Sequence, residues 1–236
     1  MAEDIAPALL DKVQKEFKRN LKAVGINQKE MIKRARDGTL KSINQYSGKV
    51  GKALSQSFFD VLTPDVMPDN TFYYNIAVKT MVPPIKDAHK MVSDVADEIQ
   101  AVNNAKMGIG IKPVRPPIQM DRVDGLIDMI TNGVFADNVE YFIEPIKNLV
   151  NHFGDHHVEK NAEFMENSGV GIVVIRKAEA TACDWCKERE GTYNGYREAE
   201  DNEAFSRHEG CQCELEIRGG GTSGKMRPRG RAFVRA

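Results

Sequence analysis

Every cysteine of this 236-residue chain falls between residues 183 and 213. The stretch reads TACDWCKEREGTYNGYREAEDNEAFSRHEGCQCEL, with Cys183-x2-Cys186 followed by His208-x2-Cys211-x-Cys213. Four thiols and an imidazole in one short segment can serve as crosslinks, as a metal centre or as a reaction centre. Each use requires the chain to fold back on itself there. A C-x2-C pair turns tightly enough for two thiolates to reach one ion, and a second knuckle about twenty residues later completes a tetrahedron. Five donors compete for four places, so one is a spare or an outer partner. Cys183 and Cys186 are the firmest ligands by spacing. Cys211 and Cys213, two apart at the start of an expected strand, point the same way, so either or both can bind. His208 is the least constrained, since four thiolates suffice. A segment of about fifty residues is too small for a substantial apolar core, and a closed structural Zn²⁺ site would contribute folding energy that packing cannot.

Disulfides fit less well. The N-terminal MAEDIAPALLDKVQKEF lacks the basic start, apolar middle and small-residue cleavage site of a signal peptide. The chain is therefore expected in a reducing cytoplasm, where clustered cysteines bind metal more often than they pair. No apolar run approaches the length needed to cross a bilayer, so no membrane partner is expected.

Upstream of the cysteines the pattern is helical. Ile5, Leu9, Val13, Phe17 and Leu21 recur every four residues and end at Gly25. NQKEMIKRARDG repeats the start-and-stop pattern, with Asn27 as cap and Gly38 as stop. A third helix is expected over 40–62 and a turn cluster at 63–70. A long helix should cover 71–105, kinked or split by Pro83 and Pro84, since proline removes a donor and clashes with the preceding turn. Further helices are expected at 122–131 and 138–167, the latter with Val139, Phe142, Ile143, Ile146, Leu149, Val150 and Phe153 on one side. Then the texture changes. GVGIVVIRKA (169–178) is β-branched and short, the best strand in the chain, and CELEI (213–217) should pair with it. The reading is of a mainly α protein. A helical region (1–106), a Pro/Gly-rich linker (107–121) and a second helical region (122–167) precede a small zinc-binding α+β module (168–217) and a basic Gly/Arg tail (218–236).

Net charge is −1, which by itself selects no partner. The tail, however, carries Arg218, Lys225, Arg227, Arg229, Arg231 and Arg235 and no acidic residue, leaving −7 on residues 1–217. Lys225, Arg227, Arg229, Arg231 and Arg235 are accordingly the expected contacts to something anionic, nucleic acid or an acidic protein face. A solvated, solubilising tail is the alternative.

Catalytic readings are weaker. His157-x-Glu159, followed after a strand by Cys183-x2-Cys186, follows the order of the zinc deaminase signature, in which Zn²⁺ activates water and the Glu shuttles protons. Ala182 stands where that signature has proline, and His208, Cys211 and Cys213 would be left without a role. GGGTSGK (219–225) lacks the spacing of a phosphate loop. His89, His152, His156 and His157 lie on expected helices, where solvated or core roles are usual.

The order VVIRKAEATACDWC, EGTY, FSRHEGCQCELEI, spanning about 173–217, resembles the C-terminal module of tailed-phage minor capsid or head-morphogenesis proteins. Cys183, Cys186, His208, Cys211 and Cys213 occupy its motif positions. The resemblance implies a non-enzymatic virion component, made in the host cytoplasm and present in several copies. It would act in head assembly near the portal or inner capsid, with the portal or major capsid protein as partner; the charge of the basic tail is compatible with contact to packaged DNA or an acidic shell face. A zinc-dependent deaminase and a DNA-binding adaptor are the alternatives.

Overall fold

Helical periodicity in the first two thirds is realised almost as the apolar spacing requires. The computed structural model describes residues 4–132, 143–208 and 210–220. Helix α1 (Ala6–Ala23) buries Leu9, Val13 and Phe17. α2 (Gln28–Arg36) is capped by Asn27, whose side chain accepts from the Glu30 N–H at 3.3 Å. α3 (Asn44–Val61) is the central element, burying Val50, Leu54 and Phe58 against α1 and against α6 (Ile143–Asn167). Two 3₁₀ turns fill the 64–70 turn cluster. α4 (Tyr74–Lys106) packs on α1, α2, α3 and α6, and α5 (Met120–Asn132) joins α4 and α6. Among the described residues no helix is long and apolar enough to cross a membrane.

Of the two effects expected of Pro83 and Pro84, splitting of the long helix does not occur: the pair neither divides α4 nor ends it. Two carbonyls lose their usual donors, but Met81, Pro84 and Ile85 are buried, and that packing holds the chain on a helical path through the pair. Val139 and Phe142, placed on the apolar side of α6 by the sequence, lie outside the described residues; Ile146, Leu149, Val150 and Phe153 are buried as expected.

The Pro/Gly-rich segment after α4 is extended and tied to the helices beneath it. Asn161 of α6 receives the Val114 N–H and donates to the Val114 carbonyl, both at 2.8 Å. Asn104 reaches the Ile111 carbonyl, and Arg115 pairs with Asp94 and Asp97.

The last third is a small α+β module. β1 (Ile172–Lys177) is the middle strand of a three-stranded antiparallel sheet, with β3 (Glu214–Gly219) on one side as expected. β2 (Gly191–Asn194), on the other side, was not anticipated from the sequence. Short helices α7 (Asp184–Glu188) and α8 (Tyr196–Asp201) flank it. Ile172, Val174, Leu215 and Ile217 join the same apolar core as the helices, so the sheet lies on the helical body by one face. Arg218, assigned to the tail by composition, belongs to β3, opposite Val173 and bonded to Glu216. Lys225, Arg227, Arg229, Arg231 and Arg235 lie outside the described residues.

Candidate metal centre

The C-x2-C pair sits at the entry of α7. Cys183 precedes its first residue and accepts the Lys187 N–H at its carbonyl, so the turn brings Cys186 back beneath Cys183. The second knuckle is closed by the Cys211 N–H donating to the His208 carbonyl at 3.2 Å. Gly210, at φ +74°, takes the left-handed conformation this turn needs, a position where a side chain would be strained.

These two turns bring the five sequence-identified donors together in two overlapping groups. Cys183, Cys186 and His208 form one, and Cys186, Cys211 and Cys213 the other. The His208 Nε2 lies 2.9 Å from the Cys186 sulfur and 3.3 Å from that of Cys183, while the Cys186 and Cys211 sulfurs are 3.6 Å apart. All four cysteines are unpaired as disulfides; Cys183 is exposed and the other three are buried. Cys186 belongs to both groups and is the pivot of the cluster. The residues fit a thiophilic ion by donor chemistry, soft sulfurs and one imidazole, with the ligand atoms of each group within 4.8 Å of one another. Burial, then its contacts with Cys213 and Cys211, pushes the Cys186 thiol up to about 12. Burial also pushes up the Cys213 thiol. At Cys211 burial also raises the thiol, but the Cys213 backbone and Arg207 outweigh it, and the thiol is lowered.

Three arginines and a tryptophan surround the cluster, and none was singled out from the sequence. Trp185, inside the C-x2-C pair, sets its ring against the edge of His208 at 5.2 Å and carries the Arg189 guanidinium 3.8 Å from its centroid. Arg207 donates to the Cys211 and Cys213 carbonyls at 2.6 and 2.8 Å and pairs with Asp155 of α6. Asp155 accepts from Asn44 of α3 at 2.8 Å, and Asn44 accepts the Leu215 N–H at 3.0 Å. This buried chain ties the second knuckle to both central helices. Burial works against the Arg207 cation, but Asp155 beside it more than offsets this. Arg176 of β1 is fully buried and directs one Nη at the Cys211 sulfur, 3.7 Å away. Its inward direction was legible in the period-two alternation Ile172, Val174, Arg176. The roles of Asp155 and Arg207 had no local signal, since 52 residues separate them.

The deaminase order does not assemble. His157 is buried on α6 with Nε2 2.7 Å from Asp97 and Nδ1 3.2 Å from the Asn161 amide, outside both donor groups. Glu159, half-buried, lines a cleft of about 590 Å³ with Glu200, Glu203, Arg207 and His208. His152 and His156 stack on one another, 5.6 Å apart, and share Gln119.

A mainly helical body thus carries a small sheet module with a cysteine–histidine cluster able to hold a metal. No family model, curated protein or solved structure matches the chain.

Proposed function

We propose that the cluster holds a structural Zn²⁺ and that the chain is a non-catalytic component of a tailed-phage head, acting in head assembly at the portal or inner capsid. The observation that carries the metal reading is the convergence of the two donor groups on Cys186, with Ala178, Ala182 and Trp185 packed against the sulfurs. Zinc is favoured over other ions because it has no redox chemistry and accepts a closed set of sulfur and nitrogen ligands. The phage assignment rests on the order and spacing of Cys183, Cys186, His208, Cys211 and Cys213 with the flanking strands and EGTY. In this reading the long helices offer contact surfaces to the portal or major capsid protein, and the tail meets DNA or an acidic shell face.

Metal analysis of the purified chain tests the first part, with about one zinc per chain expected; metal-free, folded protein overturns it. Assembly tests the second. Cys183→Ser is expected to lower incorporation into heads, while Glu159→Ala leaves it unchanged. Deamination of a nucleoside or nucleic acid by wild type, lost in a folded, zinc-loaded Glu159→Ala protein, would return the enzyme reading. If the tail contacts phosphates, DNA affinity should fall steeply with salt; a flat salt dependence removes that contact.

A further inference from the structure

Arg176 is the bulkiest fully buried side chain among the described residues, with 1% of its surface exposed. It shares the inward face of β1 with Ile172 and Val174, where the aliphatic core gives way to the sulfurs. An arginine remains protonated in proteins, so a full positive charge sits in the interior here. Its Nη1 donates to the carbonyls of Ala204 and Ser206 at 2.7 and 2.6 Å. Nη2 meets the Cys211 sulfur, Nε has no hydrogen-bond partner, and the Trp185 ring lies 5.4 Å from the guanidinium carbon.

Carbonyl dipoles and a ring face solvate a cation without cancelling it. Arg207, buried nearby, has Asp155 as its anion. Among the described residues no carboxylate lies within ion-pair distance of Arg176; the groups beside it that can become anionic are thiols, Cys211 in contact with it and Cys213 within its electrostatic reach. A buried charge is tolerated where it is paired.

We propose that Arg176 is the built-in counter-ion of the metal centre. The proposal deepens the zinc reading and rests on it. Three thiolates and an imidazole around a divalent ion carry one negative charge, and four thiolates carry two, so the loaded centre is anionic with either set. The guanidinium balances that charge from the protein side, with an N–H aimed at one of the sulfurs. It also bears on which ions fit. A fixed positive charge at this distance opposes any cation that does not bring several thiolates with it, so the site favours thiophilic ions such as Zn²⁺ and Cd²⁺ over Mg²⁺ and Ca²⁺. Hydrogen bonds to ligating groups commonly change metal affinity by about 10–100-fold, which sets the size of the expected effect.

The experiment is chelator competition on the full-length chain at fixed pH. It begins from the zinc content of wild type, which decides the metal reading by itself: a chain without metal overturns both. Given a loaded wild type, Arg176→Gln keeps an amide donor and removes the charge, and is expected to weaken zinc about 10–100-fold. Arg176→Lys keeps the charge and should stay much closer to wild type. Wild-type affinity in Arg176→Gln overturns the counter-ion role while leaving the zinc site standing. So does equal weakening in both variants, which would make the requirement one of shape. Should Arg176→Gln fail to fold, Arg176→Lys carries the test. Zinc retention near wild type supports the role, and a loss as large as that of Cys186→Ser overturns it.

Discussion

Around Leu54 and Phe58 in α3 the interior consists of aliphatic and aromatic side chains contributed by α1, α3, α4 and α6. Around Cys186 it consists of three sulfurs, with Ala178, Ala182 and Trp185 partly covering them and Arg176 behind. The helical body is stabilised by many contacts, each worth a small fraction of the whole, so no single residue decides whether it folds. The module's outer end has no such reserve. Its two knuckles are loops without much apolar surface, and their geometry depends on whatever joins the sulfurs. The sheet stands between these cases, since Ile172, Val174, Leu215 and Ile217 rest on the body's core while the loops beyond them do not. Stability in this molecule is therefore distributed in one region and concentrated in the other.

If the cluster holds the proposed zinc, removing it is the strongest way to break that contrast. Structural zinc contributes about 10–16 kcal/mol of apparent binding energy in small zinc-dependent folds, far more than any single packing contact. Chelation, or Cys186→Ser at the shared donor, should expose the amides of 183–188 and 206–213 to rapid hydrogen exchange. The strands should lose less protection, and α3 and α6 almost none. A uniform loss across all helices, or none at the knuckles, would show that the division is not real.

The joint between the regions comes next. Asp155→Ala leaves Arg207 buried without its anion and should cost about 3–5 kcal/mol in chemical denaturation, since the Arg207 side chain is only 9% exposed and that of Asp155 1%. Asp155→Ala combined with Arg207→Met should cost less than the sum of the single changes, because the second change removes the stranded charge. Strict additivity would mean that the pair does not link knuckle to helices.

Much of this was readable in advance, and the unreadable part has a common cause. Apolar spacing located the helices, Asn27 and Gly38 marked the limits of α2, and the spacing of the cysteines gathered all five donors. Local rules allowed a split at Pro83 and Pro84 that does not occur, because the packing that overrides them comes from helices distant in sequence. β2 is four residues with little hydrophobic alternation, and its identity as a strand comes from pairing with β1. The Asn44–Asp155–Arg207 chain joins α3, α6 and the second knuckle, a long-range meeting to which no residue's neighbours point. Chemistry set by spacing along the chain was legible; chemistry set by where elements dock was not.

Acid should weaken the distributed region in its own way. Burial, reinforced by Arg122, pushes His152 down to about 4, and burial lowers His156 and His89 as well. The unfolded chain takes up a proton near pH 6.5 that the folded one refuses until about 4, so stability is full above 6.5 and falls as pH drops through that window. The His152 shift alone corresponds to about 3 kcal/mol. The helical urea midpoint should fall between pH 6.5 and 4, and more shallowly in His152→Gln. An equal slope in the variant would exclude His152 as the source.

The smallest changes sharpen the contrast within the body itself, because two helical glycines should respond with opposite sign. Gly51 of α3 lies where α6 crosses closest. A Cβ there would sit 3.1 Å from the Lys147 Cα and 3.3 Å from the Val150 Cβ, and the first of these is backbone that cannot rotate away. Gly51→Ala should therefore force α3 and α6 apart and cost about 1–3 kcal/mol. Gly125, on the exposed side of α5, has nothing within 4 Å of its Cβ position. Gly125→Ala loses no contact and restricts the unfolded chain, so it should add about 0.4–1 kcal/mol. Paired thermal melts compare the two directly. If Gly51→Ala also stabilises, the helix crossing has room to spare, and the body's cohesion comes from apolar area alone and not from the close fit of α3 on α6.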